Sequence, residues 1–288
     1  MFALSTHLFH GARLTREHLA AIKTHGFGDI EVFATRTHFD YRDERAVEEF
    51  AGWLSELGIN AVSMHAPICA SFSGGLWGRA FSNASANSTA RQEAVDETTR
   101  AFAAARALGC AAMVVHLGLP SGQPTPGDDN DRGAVRRSLE PLADAASQAG
   151  VRLALEVIPN DLSTPDMLLE WLEGDLELGD TGVCLDFGHA HLLGGAPEAA
   201  EVLSGHVVST HVHDNRGAND DHLVPFAGTI DWAATLTAMW KIGYAGPWVF
   251  EVADHGDAEA VLERTVRARA RLQAILEDIS VPFDFREP

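Results

Sequence analysis

A-G-V-R-L-A-L-E-V, residues 149–157, decides the fold. A glycine closes an amphipathic run, an apolar run with strand character follows at once, and that run finishes on a carboxylate, Glu156. Glycine supplies the left-handed backbone that stops a helix, so Gly150 marks a helix-to-strand turn. The same punctuation recurs in H-G-F (25–27), L-G-I (57–59), L-G-C (108–110) and I-G-Y (242–244). Working outward, seven more short apolar runs appear, at 2–6, 29–34, 61–65, 111–116, 182–186, 207–211 and 248–252. Between them lie helical patterns such as 15–25, 45–57 and 90–108. Eight alternating β and α units predict a parallel sheet closed into a (β/α)₈ TIM barrel, an α/β fold occupying 1–288 as one domain. An open doubly wound sheet is the alternative, but no G-x-G-x-x-G follows the first strand. Long βα loops are expected around 67–90, 118–132 and 212–230. The second carries L-P-S-G-Q-P-T-P-G-D-D-N-D-R and reads as a loop over the barrel mouth rather than a linker.

Composition narrows the partners. Acids outnumber bases 41 to 21, a net charge of −20, which repels phosphate backbones; nucleic acid is not expected. The densest basic stretch, R-T-V-R-A-R-A-R (264–271), has the spacing of an exposed helix face. W-A-A-T-L-T-A-M-W (232–240) reads as an amphipathic helix with both tryptophans in the core. Cys69, Cys110 and Cys184 are widely spaced and without C-x-x-C, as expected of buried free thiols in a reducing compartment. The N-terminus lacks a signal-peptide pattern and no run approaches a membrane span, so a soluble cytoplasmic protein is expected. Neither G-x-S-x-G nor a P-loop occurs.

The chemistry of such barrels sits at the C-terminal strand ends. Here the second to eighth strands are expected to end on Glu31, His65, His116, Glu156, Asp186, His211 and Glu251. These would converge on one point as a carboxylate–imidazole cluster, where crowded carboxylates take up protons unless a cation neutralises them. Oxygen and nitrogen donors without thiolate suit Mn²⁺, Co²⁺, Fe²⁺, Mg²⁺ or Zn²⁺. In L-D-F-G-H-A-H (185–191), Asp186 ends a strand and His189 in the next turn faces the same site, while His191 enters a helix. In H-V-H-D (211–214), His211 ends its strand, His213 points inward, and Asp214 and Asn215 follow as supporting or substrate contacts. Glu31, Phe33, Phe72, Trp77, His213, Arg216 and Phe226 are the candidates for the pocket wall.

Several motifs run in order along the chain: S-M-H-A-P (63–67), V-V-H-L-G (114–118), L-A-L-E-V (153–157) and C-L-D-F-G-H (184–189). H-V-H-D-N (211–215), D-D-H-L-V-P-F-A-G-T-I-D-W (220–232) and V-F-E-V (249–252) complete them. Together they resemble the sugar isomerase/epimerase superfamily of xylose-isomerase-like barrels, which also includes endonuclease IV. The resemblance to the tagatose-3-epimerase-like members implies one divalent ion held by Glu156, Asp186, His211 and Glu251. Glu156 and Glu251 would exchange a proton next to a carbonyl through a metal-stabilised enediolate, with His189 assisting at a substrate oxygen. Two epimerase features differ: Leu162 stands where those enzymes carry a further glutamate, and Gly217, with Arg216 beside it, where they carry arginine. The endonuclease IV side implies up to three zinc ions on His65, His116, Glu156, Asp186, His189, His211, Asp220, His222 and Glu251. The wording D-F-G-H, H-V-H-D-N and G-T-I-D-W is that of the sugar branch. The expected protein is therefore a metal-dependent sugar or keto-sugar isomerase or epimerase with a small sugar as partner; its oligomeric state, a homo-oligomer included, is left open by the sequence. A trinuclear phosphodiesterase, a keto-sugar lyase or dehydratase, and a non-catalytic sugar-binding barrel are the alternatives.

Overall fold

The computed structural model describes residues 1–121 and 129–280. Eight parallel strands close a barrel: β1 (Phe2–Ser5), β2 (Asp29–Phe33), β3 (Asn60–His65), β6 (Ala112–Val115), β7 (Arg152–Glu156), β8 (Gly182–Asp186), β9 (Val207–Val212) and β10 (Trp248–Phe250). Each strand pairs with its predecessor in this list, and β10 returns to β1. The helices wrapped around them are α1 (Arg16–Thr24), α2 (Glu44–Leu57), α3 (Ser88–Ala107), α4 (Arg132–Ala149) and α5 (Pro165–Glu173). They continue as α6 (Phe187–Leu192), α7 (Ala196–Val202), α8 (Trp232–Lys241) and α9 (Ala258–Ser280). The (β/α)₈ barrel expected from the glycine-punctuated runs is the fold observed.

Local chemistry sets the helix limits. Asp43, Asn87, Asp131, Thr164 and Asp231 each accept a backbone N–H at the first turn of the helix they precede. Gly150 ends α4 at φ 68°, the left-handed turn that its position in A-G-V requires.

Alternation along the strands divides the barrel interior into layers. Val114, Ala154 and Cys184 lie two residues before His116, Glu156 and Asp186, and form a buried apolar cluster separate from the main core. That plug floors the polar layer above it. Outside the barrel, residues such as Ile30, Met64, Leu155, Leu185 and Phe250 bury against the helices. All three cysteines are free and buried. Among the described residues, no helix is long and apolar enough to cross a membrane.

Three expectations change, and one lies partly outside the described residues. The loop at 67–90 carries an antiparallel hairpin, β4 (Phe72–Ser73) and β5 (Leu76–Trp77). Gly74 and Gly75 turn it, both at positive φ, as a tight two-residue turn requires. Of the loop expected at 118–132, residues 122–128 lie outside the described residues. In α8, Trp232 is buried but Trp240 is 53% exposed. Eight residues advance about 80° past two full helical turns, enough to carry the second indole off the buried stripe. Finally, His189 lies inside the short helix α6, which Asp186 caps, rather than in a turn.

One buried histidine makes the fold sensitive to acid. His38, in the β2–α2 connection, donates from Nδ1 to the Ala12 carbonyl at 2.7 Å, while Nε2 has no partner among the described residues. Burial lowers its pKa to about 4 from the usual 6.5. The unfolded chain therefore binds more protons between those values, and stability falls as pH drops through that window. The gap corresponds to about 3 kcal/mol. Urea midpoints measured from pH 7 to pH 4 should decline, and His38→Asn, which keeps a donor near the Nδ1 position, should flatten the decline. An unchanged slope would remove His38 as the cause.

Candidate metal centre

Glu156, at the end of β7, is the hub of the site. Its Oε2 lies 3.1 Å from His65 Nε2 and 2.9 Å from His116 Nε2. Its Oε1 lies 3.1 Å from His211 Nδ1 and 3.4 Å from His189 Nδ1. His211 Nδ1 is also 3.3 Å from Glu251 Oε2 and 3.5 Å from Asp186 Oδ2. The donors fall into three adjacent groups, each with its ligand atoms within 4.8 Å of one another. These are Glu156, Asp186, His211 and Glu251; His65, His116 and Glu156; and His189, His213, Asp220 and His222. The first and second groups share Glu156.

The ring orientations fit a metal. His65 Nδ1 faces the Ala66 carbonyl at 2.8 Å, His189 Nδ1 the Val157 carbonyl at 2.9 Å, and His222 Nδ1 the Glu251 carbonyl at 2.8 Å. Donation from Nδ1 to a carbonyl fixes the tautomer that leaves Nε2 as a free lone pair, and in all three rings Nε2 faces a carboxylate of the cluster. Asp186 is held from both sides: Oδ1 accepts the His189 backbone N–H at 2.7 Å, and Oδ2 faces His213 Nε2 at 2.9 Å. Such backing orients ligand atoms before any ion arrives.

Charge balance points the same way. Burial alone would raise Glu156 and Asp186, but facing imidazoles hold both well below the usual carboxylate range, His116 and His211 for the first and His189 and His213 for the second. Conversely, burial would lower the histidines. Asp186 and Asp220 instead raise His189 well above its usual value, and Asp220 brings His222 to about 10. His211 is raised well above its usual value by the carboxylates of Glu251, Glu31 and Glu156. Without a cation, the cluster keeps its carboxylates ionised by holding protons on these rings. A divalent ion would take over that neutralising role.

The remaining candidates are scattered. Glu31 lies in the middle of β2 rather than at its end, and accepts hydrogen bonds from Ser5 Oγ at 3.2 Å and Ser63 Oγ at 2.8 Å. It faces His211 Nε2 at 3.2 Å and so supports that ring from behind. Phe33 stands 5.1 Å from the His65 ring, on the wall of the cluster. Trp77 is 46% exposed on the hairpin and packs against Phe72 and His10. His213 is fully buried, in contact with Asp186 and stacked on His222 at 4.1 Å.

Arg216 is exposed in the loop, outside the donor groups. Phe226 has positive φ, and its ring lies beneath the Arg271 guanidinium of α9 at 3.7 Å, so it faces the outer helix and not the cluster. Asp214 also leaves the site. Its carboxylate accepts the backbone N–H groups of Asn215, Phe226 and Ile230 and the Trp232 indole N–H, which organises the loop. Asn215 supports α6 by donating to the Gly188 carbonyl.

His7 and His10 belong to the wall and were not among the candidates. They follow β1 in S-T-H-L-F-H, and the ring of His7 stacks on His10 at 4.4 Å and meets His222 at 4.9 Å. Two histidines three residues apart, directly after a strand, were the available signal.

Residues 19–274 match the family described as the xylose isomerase-like TIM barrel, and the chain belongs to it. The similarity stated from the motifs thus holds over most of the chain. A protein of Sinorhizobium fredii described as uncharacterized is 32% identical over 178 residues, covering 56% of this chain. The chain spans about half, 53%, of that relative's length. A solved D-tagatose 3-epimerase-like protein is 24% identical with a TM-score of 0.78, over 96% of this chain and 97% of that one. An L-ribulose 3-epimerase is 20% identical with a TM-score of 0.75, over 100% and 99%. An IolI protein solved with a bound zinc atom is 17% identical with a TM-score of 0.73, over 96% and 98%. These likenesses are likenesses of fold.

Proposed function

We propose that this chain is a divalent-metal-dependent isomerase or epimerase that moves a proton next to the carbonyl of a sugar or keto-sugar. The observation that carries the reading is the pair Glu156, the last residue of β7, and Glu251, directly after β10, which approach His211 Nδ1 to 3.1 and 3.3 Å. Glu156, Asp186, His211 and Glu251 would hold the ion. When bound there, a divalent ion supplies Lewis acidity toward a carbonyl and neighbouring hydroxyl oxygen.

The chain's own residues do the rest. Glu156 has ring nitrogens against both of its oxygens, whereas Glu251 meets His211 and His222 through Oε2. Glu251 Oε1 is thus the freer oxygen to take a proton from carbon, and Glu156 serves the opposite side of the substrate. His189, held at Nδ1 by the Val157 carbonyl, presents Nε2 to a substrate oxygen in competition with Asp220, 3.1 Å away. Support also comes from the epimerase activities named for the similar folds.

A second reading rests on a separate observation: Glu156 is shared by two donor groups and a third group adjoins them. Three ions there would suit hydrolysis of a phosphodiester, with the −20 charge weighing against nucleic acid as the substrate. Elemental analysis of protein purified without chelator decides between the two. One ion per chain is the expected result. Three zinc ions per chain, with cleavage of a small phosphodiester, would replace the isomerase reading.

A further inference from the structure

We propose that His7 forms a second binding subsite, one ring beyond the metal-ligand cluster, that takes a hydroxyl at the far end of an extended polyol or open-chain sugar. The proposal rests on the reading of the site as one for polyhydroxylated ligands, and names where such a ligand ends.

His7 enters the site because β1 stops at Ser5 and the chain turns through a single 3₁₀ turn, Thr6–Phe9. Ser5 Oγ accepts the His7 backbone N–H at 3.3 Å, which pins the turn to the strand end. The His7 ring is then enclosed on three sides. His10 stacks on it at 4.4 Å with 13° between planes, His222 meets it at 4.9 Å, and Phe33 presents its ring edge-on at 5.0 Å. On the far side of His10, Trp77 lies parallel at 5.2 Å and 5°. The rings form one column, from the exposed hairpin down to His222 in the third donor group.

Within this packing His7 is only 7% exposed, and its Nδ1 has no hydrogen-bond partner among the described residues. A buried polar nitrogen left unpaired costs about 1–3 kcal/mol. The ring nitrogens of His222 are matched to a carbonyl and a carboxylate. Among the described residues, His7 Nδ1 and His213 Nδ1 have no partner; His7 is the one on the side of His222 toward the exposed hairpin, and a bound ligand would satisfy it there. The surroundings select the ligand group: two imidazoles and a phenyl ring, with no guanidinium or ammonium to balance an anion. A hydroxyl both donates and accepts, and so pairs with an imidazole nitrogen in either tautomer. The Phe33 ring suits the C–H face of a carbon chain. Position sets the length. His222 Nδ1 is 3.8 Å from Glu251 Oε2, and the His7 ring meets the His222 ring at 4.9 Å. A ligand held at Glu251 by one end and extended past His222 would meet His7 with its remote hydroxyls.

Calorimetric titration of the metal-loaded protein with erythritol, xylitol and sorbitol tests this, because these probes differ in length and carry no carbonyl to turn over. Wild type should bind the longer polyols about tenfold more tightly than erythritol, the worth of one well-made hydrogen bond. His7→Phe keeps the stacked ring and removes the nitrogen; it should lose that preference while retaining its metal content. His7→Asn places a polar atom near the Nδ1 position and should recover part of it. A His7→Phe variant with the wild-type preference, or a wild type that shows no preference or binds none of the three, overturns the subsite. Proton exchange on sugars is a separate measurement, so failure of the isomerase reading and failure of the subsite are told apart.

Discussion

Replacing Glu251 with glutamine is expected to lower proton exchange at the substrate carbon by about 10²–10⁴-fold, the usual contribution of a positioned general base. Glutamine has nearly the same shape but cannot take up a proton at neutral pH. Glu251 is 3% exposed and follows directly after β10, so the replacement fits the existing cavity. Glu156, Asp186 and His211 remain as donors, so a measured metal content separates loss of the base from loss of the ion. Deuterium incorporation into the sugar in heavy water gives the rate, and a thermal melt reports the fold. Full exchange in Glu251→Gln with the metal retained would overturn the assignment. Glu156→Gln should lose activity too, with a larger fall in metal content, because Glu156 faces His65, His116, His189 and His211 at once.

The second large effect is expected at a residue with no functional group. Gly188 lies in α6 beneath His213, and a Cβ added there would overlap the imidazole at Cε1, Nδ1 and Nε2. Gly188→Ala therefore forces His213 away from Asp186, whose Oδ2 it faces at 2.9 Å. Loss of such support for a ligand costs about 10–100-fold in metal affinity. The overpacking itself should destabilise the fold by about 1–3 kcal/mol. Titration with Mn²⁺ gives the first quantity and denaturant unfolding of the metal-free protein gives the second. Adding His213→Ala to Gly188→Ala should relieve the instability but not the weakened metal binding. A Gly188→Ala protein that binds Mn²⁺ as wild type does would mean that His213 does not position Asp186.

The barrel was legible because its signals are periodic. Glycine after several of the helices and apolar alternation within the strands locate both elements, and a polar residue that ends such a run must face the mouth. Glu156, Asp186, His211 and Glu251 could be read together for that reason. Glu31 obeyed the alternation but not the position. The apolar run continues past it through Val32 and Phe33, and a register shift between Ile30 and Glu31 sets it lower in the barrel.

Where the chain leaves regular structure, sequence spacing says little about direction. Asp214 and Asp220 look alike in H-V-H-D-N-R-G-A-N-D-D-H, yet one braces the loop and the other faces His189 and His222. Phe226 was placed on the pocket wall by its loop position, whereas a left-handed backbone turns it toward α9. His7 and His10 do not stand out in the sequence because β1 ends on Ser5 and not on a donor, so the imidazoles fall one turn later.

The bracing by Asp214 has a consequence for how such a barrel can diversify. Asp214 and Leu223 exchange two backbone hydrogen bonds at 2.8 Å, and the Asp214 carboxylate ties in the chain again at Phe226, Ile230 and Trp232. The segment between these residues is thus an ear with both feet clamped to the same side chain and bridge. Changes of sequence or length confined to 216–219 need not travel into the strands or into α8. The barrel carries there a cassette, exposed to solvent and adjoining the mouth, that can be exchanged without rebuilding the wall it sits on.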